Sequence, residues 1–121
     1  MNQPIKYDLH CHTTCSDGSL TPAELVQRAA EMGVSTLAIT DHDTTNAYQQ
    51  LGPLDQQPIQ IIPGIEFSTH WQKMNVHIVG LNIQLESDAL KEGVAFQHQA
   101  RLQRAVLIAE KLHQMGFENT L

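Results

Sequence analysis

Two histidines stand one residue apart in "YDLHCHTTCSDG" (7–18), directly after a short apolar run, and an aspartate follows just before a glycine. Alternation in an extended backbone sends residues i and i+2 to the same face. His10 and His12 are therefore expected to point together, with Cys11 facing away. Two imidazoles aimed at one spot, with Asp17 close behind, are the beginning of a metal site. The same residue types recur downstream as Asp41, His42 and Asp43 in "TDHD", then Glu66, then His77. Imidazole and carboxylate together suit Zn, Mn or Fe, and a carboxylate can bridge two ions. One ion takes only three or four protein ligands, so this many candidates suggests more than one ion.

The elements that must position these residues are readable from periodicity. Residues 5–9 read as a short strand. "SLTPAELVQRAAEMG" (19–33) reads as a helix with Thr21 as N-cap, Pro22 at the first position and Glu24 completing a capping box. Its apolar stripe is Leu25, Ala29 and Met32 with Val26 and Ala30, and Gly33 stops it. "VSTLAIT" (34–40) is a largely apolar strand, as expected in a parallel sheet covered on both faces. Residues 44–51 form a brief helix, 52–58 a loop, and "IQIIPGIEFS" (59–68) a third strand broken at Pro63-Gly64. "NVHIVGLNI" (75–83) is a fourth strand. Residues 87–115 form one long amphipathic helix through Leu90, Val94, Leu102, Ala105, Val106, Ala109 and Leu112, ended by Gly116. This order describes an α/β protein whose first strands are parallel. Ligands in such sheets gather beyond the carboxyl ends of the strands, which is where nearly all the candidates fall.

Composition narrows the function classes. The chain has 121 residues, 41% apolar and 17% charged, which describes a globular domain with a real core. The formal net charge of -6 argues against a surface that grips long duplex DNA with basic residues. Bound cations would still allow a phosphate substrate. No apolar run is long enough for a membrane span, and the N-terminus lacks a signal peptide's apolar centre. A cytoplasmic setting is expected. Cys11 and Cys15, spaced C-x3-C without a second pair, are expected to be free thiols. Asp41 would orient His42 or cap the next segment, and Asp43 would act as a cap or beside a ligand. His70, His98 and His113 are expected in solvent. Cys15 and Trp71 are expected to pack rather than line a pocket mouth.

"HCHTTCSDG", "ITDHDT", "PGIEFS" and "VHIVGL", in that order, resemble the PHP family, the polymerase and histidinol phosphatase superfamily of metal-dependent phosphoesterases. "LTPAELVQRAAEMGV" is similar to the family's text between its first two motifs. "TDHDT" is similar to the stand-alone members, which include the nucleoside bisphosphate phosphatase and 5′-to-3′ exoribonuclease. The resemblance implies a distorted seven-stranded β/α barrel, here its N-terminal half with mainly parallel strands, holding up to three divalent ions (Mn, Zn or Fe). It implies His10, His12 and Glu66 around the first ion, Asp17 and His42 on the second, and Glu66 bridging to a third shared with His77. Arg101 and Arg104 fall where relatives carry arginines near the substrate phosphate, and with Glu66 they form the implied catalytic set.

The same resemblance implies further ligands from a second half, a histidine and a late D-x-H pair, that have no counterpart in these residues. Residues 1–121 are therefore read as the N-terminal portion of a PHP domain, with a metal-site core at about 1–84 and the long helix at about 86–116. A missing half supplied by another chain, or a natural shortened protein, stays open. The expected function is hydrolysis of phosphate esters of nucleotides or short RNA by metal-activated hydroxide. The alternative is a truncated metal-binding or interaction module with little turnover. The expected partners are a nucleotide or short RNA and a second copy of the chain through the exposed face of the long helix, with neither membrane nor duplex DNA.

Overall fold

Strand β2 (Thr36–Ile39) is buried along its whole length, and the fold is assembled around it. The computed structural model describes residues 4–120. Strand β1 (Tyr7–Cys11) and strand β3 (Gln60–Ile61) flank β2 in a sheet of order β1-β2-β3. Both pairings are parallel, as the crossovers require. Helix α1 (Pro22–Glu31) connects β1 to β2, and helix α2 (Asn46–Leu51) with a single 3-10 turn (Leu54–Gln56) connects β2 to β3. Val26 and Ala29 of α1, Leu37 and Ile39 of β2, Ala47 and Tyr48 of α2, and Ile61 of β3 form the core.

Helix α1 begins as its sequence requires. The Thr21 side chain accepts from the Glu24 amide, the Glu24 carboxylate accepts from the Thr21 amide, and Pro22 occupies the first turn. Gly33, at φ +82°, takes the left-handed conformation that ends the helix. Met32, expected on the apolar stripe, is exposed at the C-cap instead, because the helix has already turned away from the core there.

The expected third strand divides. Its first part is β3, and its second is strand β4 (Gly64–Trp71), which pairs antiparallel with strand β5 (Met74–Leu81) from Gly64↔Leu81 to Trp71↔Met74. Proline has no N–H to continue a ladder, and the break falls at Pro63. The Tyr48 hydroxyl fills it: it donates to the Ile39 carbonyl and accepts from the Gly64 amide at 2.7 Å. Burial pushes the Tyr48 phenol well above its usual range, so it stays protonated for that role. Past the break, β4 rejoins the line of β2 through a parallel bridge between His42 and Glu66. Gly64 lies where a Cβ would sit 2.9 Å from the Thr40 methyl and 3.1 Å from the Gly80 carbonyl, so the backbones meet too closely for any side chain.

Helix α3 (Asp88–Gln114) starts at the Ser87 cap, and none of its residues is buried. It touches the sheet through its first half: Gly93 packs on the Phe67 ring, and the Gln97 amide donates to the Ser68 carbonyl at 2.6 Å. Of the expected stripe, Leu90, Val94, Ala105, Ala109 and Leu112 are half-buried, whereas Leu102 and Val106 are exposed. Phe96, Leu107 and Ile108, outside that stripe, are exposed as well. Trp71, expected to pack, is exposed at the end of the β4–β5 hairpin.

The described residues thus form a mixed α/β unit with a three-stranded parallel sheet and a hairpin, five strands rather than the seven of a closed barrel. Among them, no helix is long and apolar enough to cross a membrane. Tyr48→Phe removes the bridge between β2 and β4 and strands a buried amide and a buried carbonyl. It is expected to lower unfolding stability by about 1–3 kcal/mol, read from urea denaturation; an unchanged midpoint would show that the break needs no bridge.

Candidate metal centre

Six residues predicted from sequence meet at one place. Their elements explain why. His10 is the last residue but one of β1 and His12 follows the strand; Asp17 lies on the loop to α1; His42 follows β2; Glu66, opposite Val79, and His77, opposite Ser68, are diagonal neighbours in the β4–β5 hairpin. Glu66 was expected at a strand end and His77 within the fourth strand. Both lie inside strands, because the antiparallel hairpin presents its face, not its end, to the parallel sheet.

The Glu66 carboxylate is the centre. Its Oε1 is 2.5 Å from His10 Nε2 and 3.4 Å from His12 Nε2. Its Oε2 is 2.8 Å from His77 Nδ1 and 3.4 Å from His42 Nδ1. Asp17 closes the circuit on the open side, with Oδ1 3.2 Å from His12 Nδ1 and Oδ2 3.3 Å from His42 Nε2. The rings follow one another, with centroids 5.3 Å apart for His10–His12, 4.5 Å for His12–His42 and 5.1 Å for His42–His77.

Three overlapping groups result: His10, His12 and Glu66; His12, Asp17 and His42; His42, Glu66 and His77. Within each, one ligand atom per residue lies within 4.8 Å of the others. Two ligand atoms, each about 2.1 Å from one ion at a tetrahedral angle, stand about 3.4 Å apart. Four of the six imidazole–carboxylate distances fall at 3.2–3.4 Å. Moreover, His12 Nδ1 and His42 Nδ1 are buried without a hydrogen-bond partner. A buried nitrogen without a partner is costly, and a neutral imidazole can donate from only one of its two nitrogens. Lone pairs left facing carboxylate oxygens at this spacing fit a set of cation ligands better than a self-satisfied network.

The charges agree. Burial acts to raise the Glu66 pKa, but the His10 hydrogen bond, the His42 charge and the His77 hydrogen bond outweigh it and hold the carboxyl below its ordinary value. Asp17 is likewise held low: desolvation is the largest single influence and opposes, but His42, His12 and the Ser16 hydroxyl together prevail.

The neighbouring acids take roles that the sequence did not specify. Asp41 does not orient His42; its carboxylate accepts from the Thr13 amide, the Thr13 hydroxyl and the Ser16 hydroxyl. Asp43, in the left-handed region at φ +56°, accepts from the Ser68 amide at 2.9 Å. It also accepts from Arg101 Nε and one terminal nitrogen, both at 2.8 Å. Arg101 is thus held on a buried aspartate beside His42, with its side chain 55% exposed. Arg104 lies exposed one turn further along α3. Thr13, Ser16 and Ser68 had no sequence signal, since hydroxyl residues in loops are common. His70, His98 and His113 are exposed, as expected, and both cysteines are free.

The pattern of the PHP domain family matches residues 8–120 of this chain. The chain belongs to that family. It is 50% identical to the 5′-3′ exoribonuclease Rnm of Escherichia coli, over 99% of this chain and 42% of that protein. It is 38% identical to the 3′,5′-nucleoside bisphosphate phosphatase of Chromobacterium violaceum, over 90% of this chain and 39% of that one. Among solved structures, an amidohydrolase from Chromobacterium violaceum, with sulfate bound and no metal, matches with a TM-score of 0.81 at 36% identity. That match covers 94% of this chain and 40% of the other. The PHP chain described here therefore spans about two-fifths of the length of the relatives it matches.

Cys11, between the two histidines, faces the other way as alternation demands, and its thiol donates to the Ala38 carbonyl at 3.2 Å. Burial, then Asp8 and Asp41, push it up to about 12. Iodoacetamide at about pH 8 is expected to leave Cys11 unmodified in the native PHP chain and to label it in urea, because the thiolate is the reacting form. Native labelling at that position, read by peptide mass spectrometry, would contradict this placement.

Proposed function

We propose that this PHP chain carries the metal-holding half of a metal-dependent phosphoesterase that acts on phosphate esters of nucleotides or of short RNA. The observation that carries the reading is the circuit of four imidazoles and two carboxylates, with two buried imidazole nitrogens lacking partners. The names of the similar proteins, an exoribonuclease and a bisphosphate phosphatase, support the substrate class.

In this reading His10, His12 and Glu66 hold one divalent cation, His12, Asp17 and His42 border a second, and His42, Glu66 and His77 a third. Divalent cations supply, when bound, a water acidified to near neutrality and a positive field for the phosphoryl oxygens. The protein's own part is spacing and orientation. Glu66 belongs to two of the groups and so sets the distance between them. Its burial keeps bulk water from loosening that spacing. Arg101 has five N–H donors in a planar fork, and Asp43 engages two of its nitrogens. The other terminal nitrogen remains to clamp a phosphoryl oxygen, with Arg104 one turn away for a second phosphate. The net charge of -6 favours a small or single-stranded substrate over a long duplex.

His12→Ala removes a side chain that belongs to two groups. It is expected to reduce the ion content per chain by elemental analysis and to lower p-nitrophenyl phosphate turnover by more than the about 10–100-fold typical of losing an outer partner. Unchanged ion content and rate in that variant would refute the reading; ions without turnover in the wild-type chain would leave a metal-binding module. Arg101→Lys keeps the charge but not the fork. It is expected to leave ion content intact and lower kcat/KM about tenfold, near the worth of one charge-assisted hydrogen bond. An unaltered kcat/KM would reduce Arg101 to a latch on Asp43.

A further inference from the structure

Asp41 is 1% exposed, and the hydrogen bonds of its carboxylate all end one residue away from a member of the metal centre. Its Oδ1 accepts from the Thr13 amide at 2.6 Å and the Ser16 hydroxyl at 2.9 Å, and its Oδ2 accepts from the Thr13 hydroxyl at 2.7 Å. Thr13 follows His12, and Ser16 precedes Asp17. The Asp41 carbonyl accepts from the Glu66 amide at 3.1 Å, and His42 is the next residue in the chain. One buried residue thus ties together the three segments that supply His12, Asp17, His42 and Glu66.

The loop it holds has little freedom of its own. The Thr13 carbonyl accepts from the amides of Ser16 and Gly18 at 3.1 and 2.8 Å, and the Thr13 hydroxyl accepts from the Cys15 amide at 3.0 Å. At Gly18 a Cβ would lie 2.3 Å from the His12 carbonyl oxygen, so the turn closes directly on the backbone of a ligand. Asp17, by contrast, is 64% exposed and has no packing to fix it. Its placement between His12 and His42 depends on the residue before it. The Ser16 hydroxyl lies 2.9 Å from Asp41 Oδ1 and 3.3 Å from Asp17 Oδ1, and a hydroxyl can donate to only one at a time.

We infer that Asp41 is a positioning residue: through Thr13 and Ser16 it holds Asp17 at ligand distance from His12 and His42, and so sets the affinity of that one group for its cation. This rests on the reading that the three groups hold divalent ions. A loop with the same contacts but no bearing on the ions would be a purely structural anchor, and the two cases differ in measurable ways. Preorganised outer partners typically control metal affinity by 10–100-fold, because ordering an exposed ligand at the moment of binding otherwise costs entropy.

The test is calorimetric titration of the metal-stripped protein with Mn2+ and with Zn2+, alongside thermal melting in EDTA. Ser16→Ala and Thr13→Val each delete one hydrogen bond to Asp41 with little change in volume, and Thr13→Ser keeps the hydroxyl. Ser16→Ala and Thr13→Val are expected to weaken one class of ion about 10–100-fold and leave the other classes unchanged, whatever melting temperature they lose through the unpaired Asp41 oxygen, while Thr13→Ser titrates as wild type. Variant titrations that superimpose on wild type overturn the positioning role and leave the metal centre standing. So does a uniform loss at every ion class accompanied by a lower melting temperature, which marks a structural anchor. A wild-type protein that takes up neither metal overturns the metal reading, and the positioning role with it.

Discussion

The Glu66 carboxylate is 4% exposed, and a carboxylate withdrawn from water to that degree needs compensating charge or hydrogen bonds at its oxygens. Four imidazoles provide the surroundings, two per oxygen, from three segments: the end of β1, the loop after β2, and β5. His10 and His77 approach the two Glu66 oxygens at hydrogen-bond distance, while His12 and His42 stand 3.4 Å away, each with one ring nitrogen buried and without a partner. The rest of the fold holds six side chains at these separations.

Two discontinuities make the arrangement achievable. The proline between β3 and β4 interrupts the ladder, and the Tyr48 hydroxyl carries its hydrogen bonds across the gap. Beyond it β4 pairs with His42 on one side and with β5 on the other, so that Glu66 and His77 face the ends of β1 and β2. Had the strand continued unbroken, Glu66 would have remained in the parallel sheet, and the hairpin that carries His77 could not have formed there. The second discontinuity is at Asp43, where the chain leaves β2 through a left-handed residue and its side chain takes over the hydrogen bond to Ser68.

Helix α3 is the loosest part. Its contact with the sheet is a small set of polar bonds from Gln97 and Arg101, together with Gly93 on Phe67. Its second half presents apolar residues to solvent in several directions. The link between helix and centre is therefore electrostatic. Arg101 grips a buried aspartate next to a candidate ligand, so whatever shifts the guanidinium is felt one residue from His42.

Much of this was legible in the residues themselves. Thr21, Pro22, Glu24 and Gly33 bound α1 because caps and stops act over one turn of chain, and the parallel order of β1, β2 and β3 follows from crossovers of helical length. The imidazole and carboxylate candidates could be named from their types and positions, and the family resemblance narrowed them to the six that meet. Tertiary structure alone decided which atoms face each other. That Glu66 sits between both histidine pairs, that Asp41 serves Thr13 and Ser16 instead of His42, and that Asp43 holds Arg101 all depend on contacts across 11 to 58 positions of sequence. Local propensity and periodicity carry no information about partners that distant, because the geometry that brings them together exists only once the core has packed.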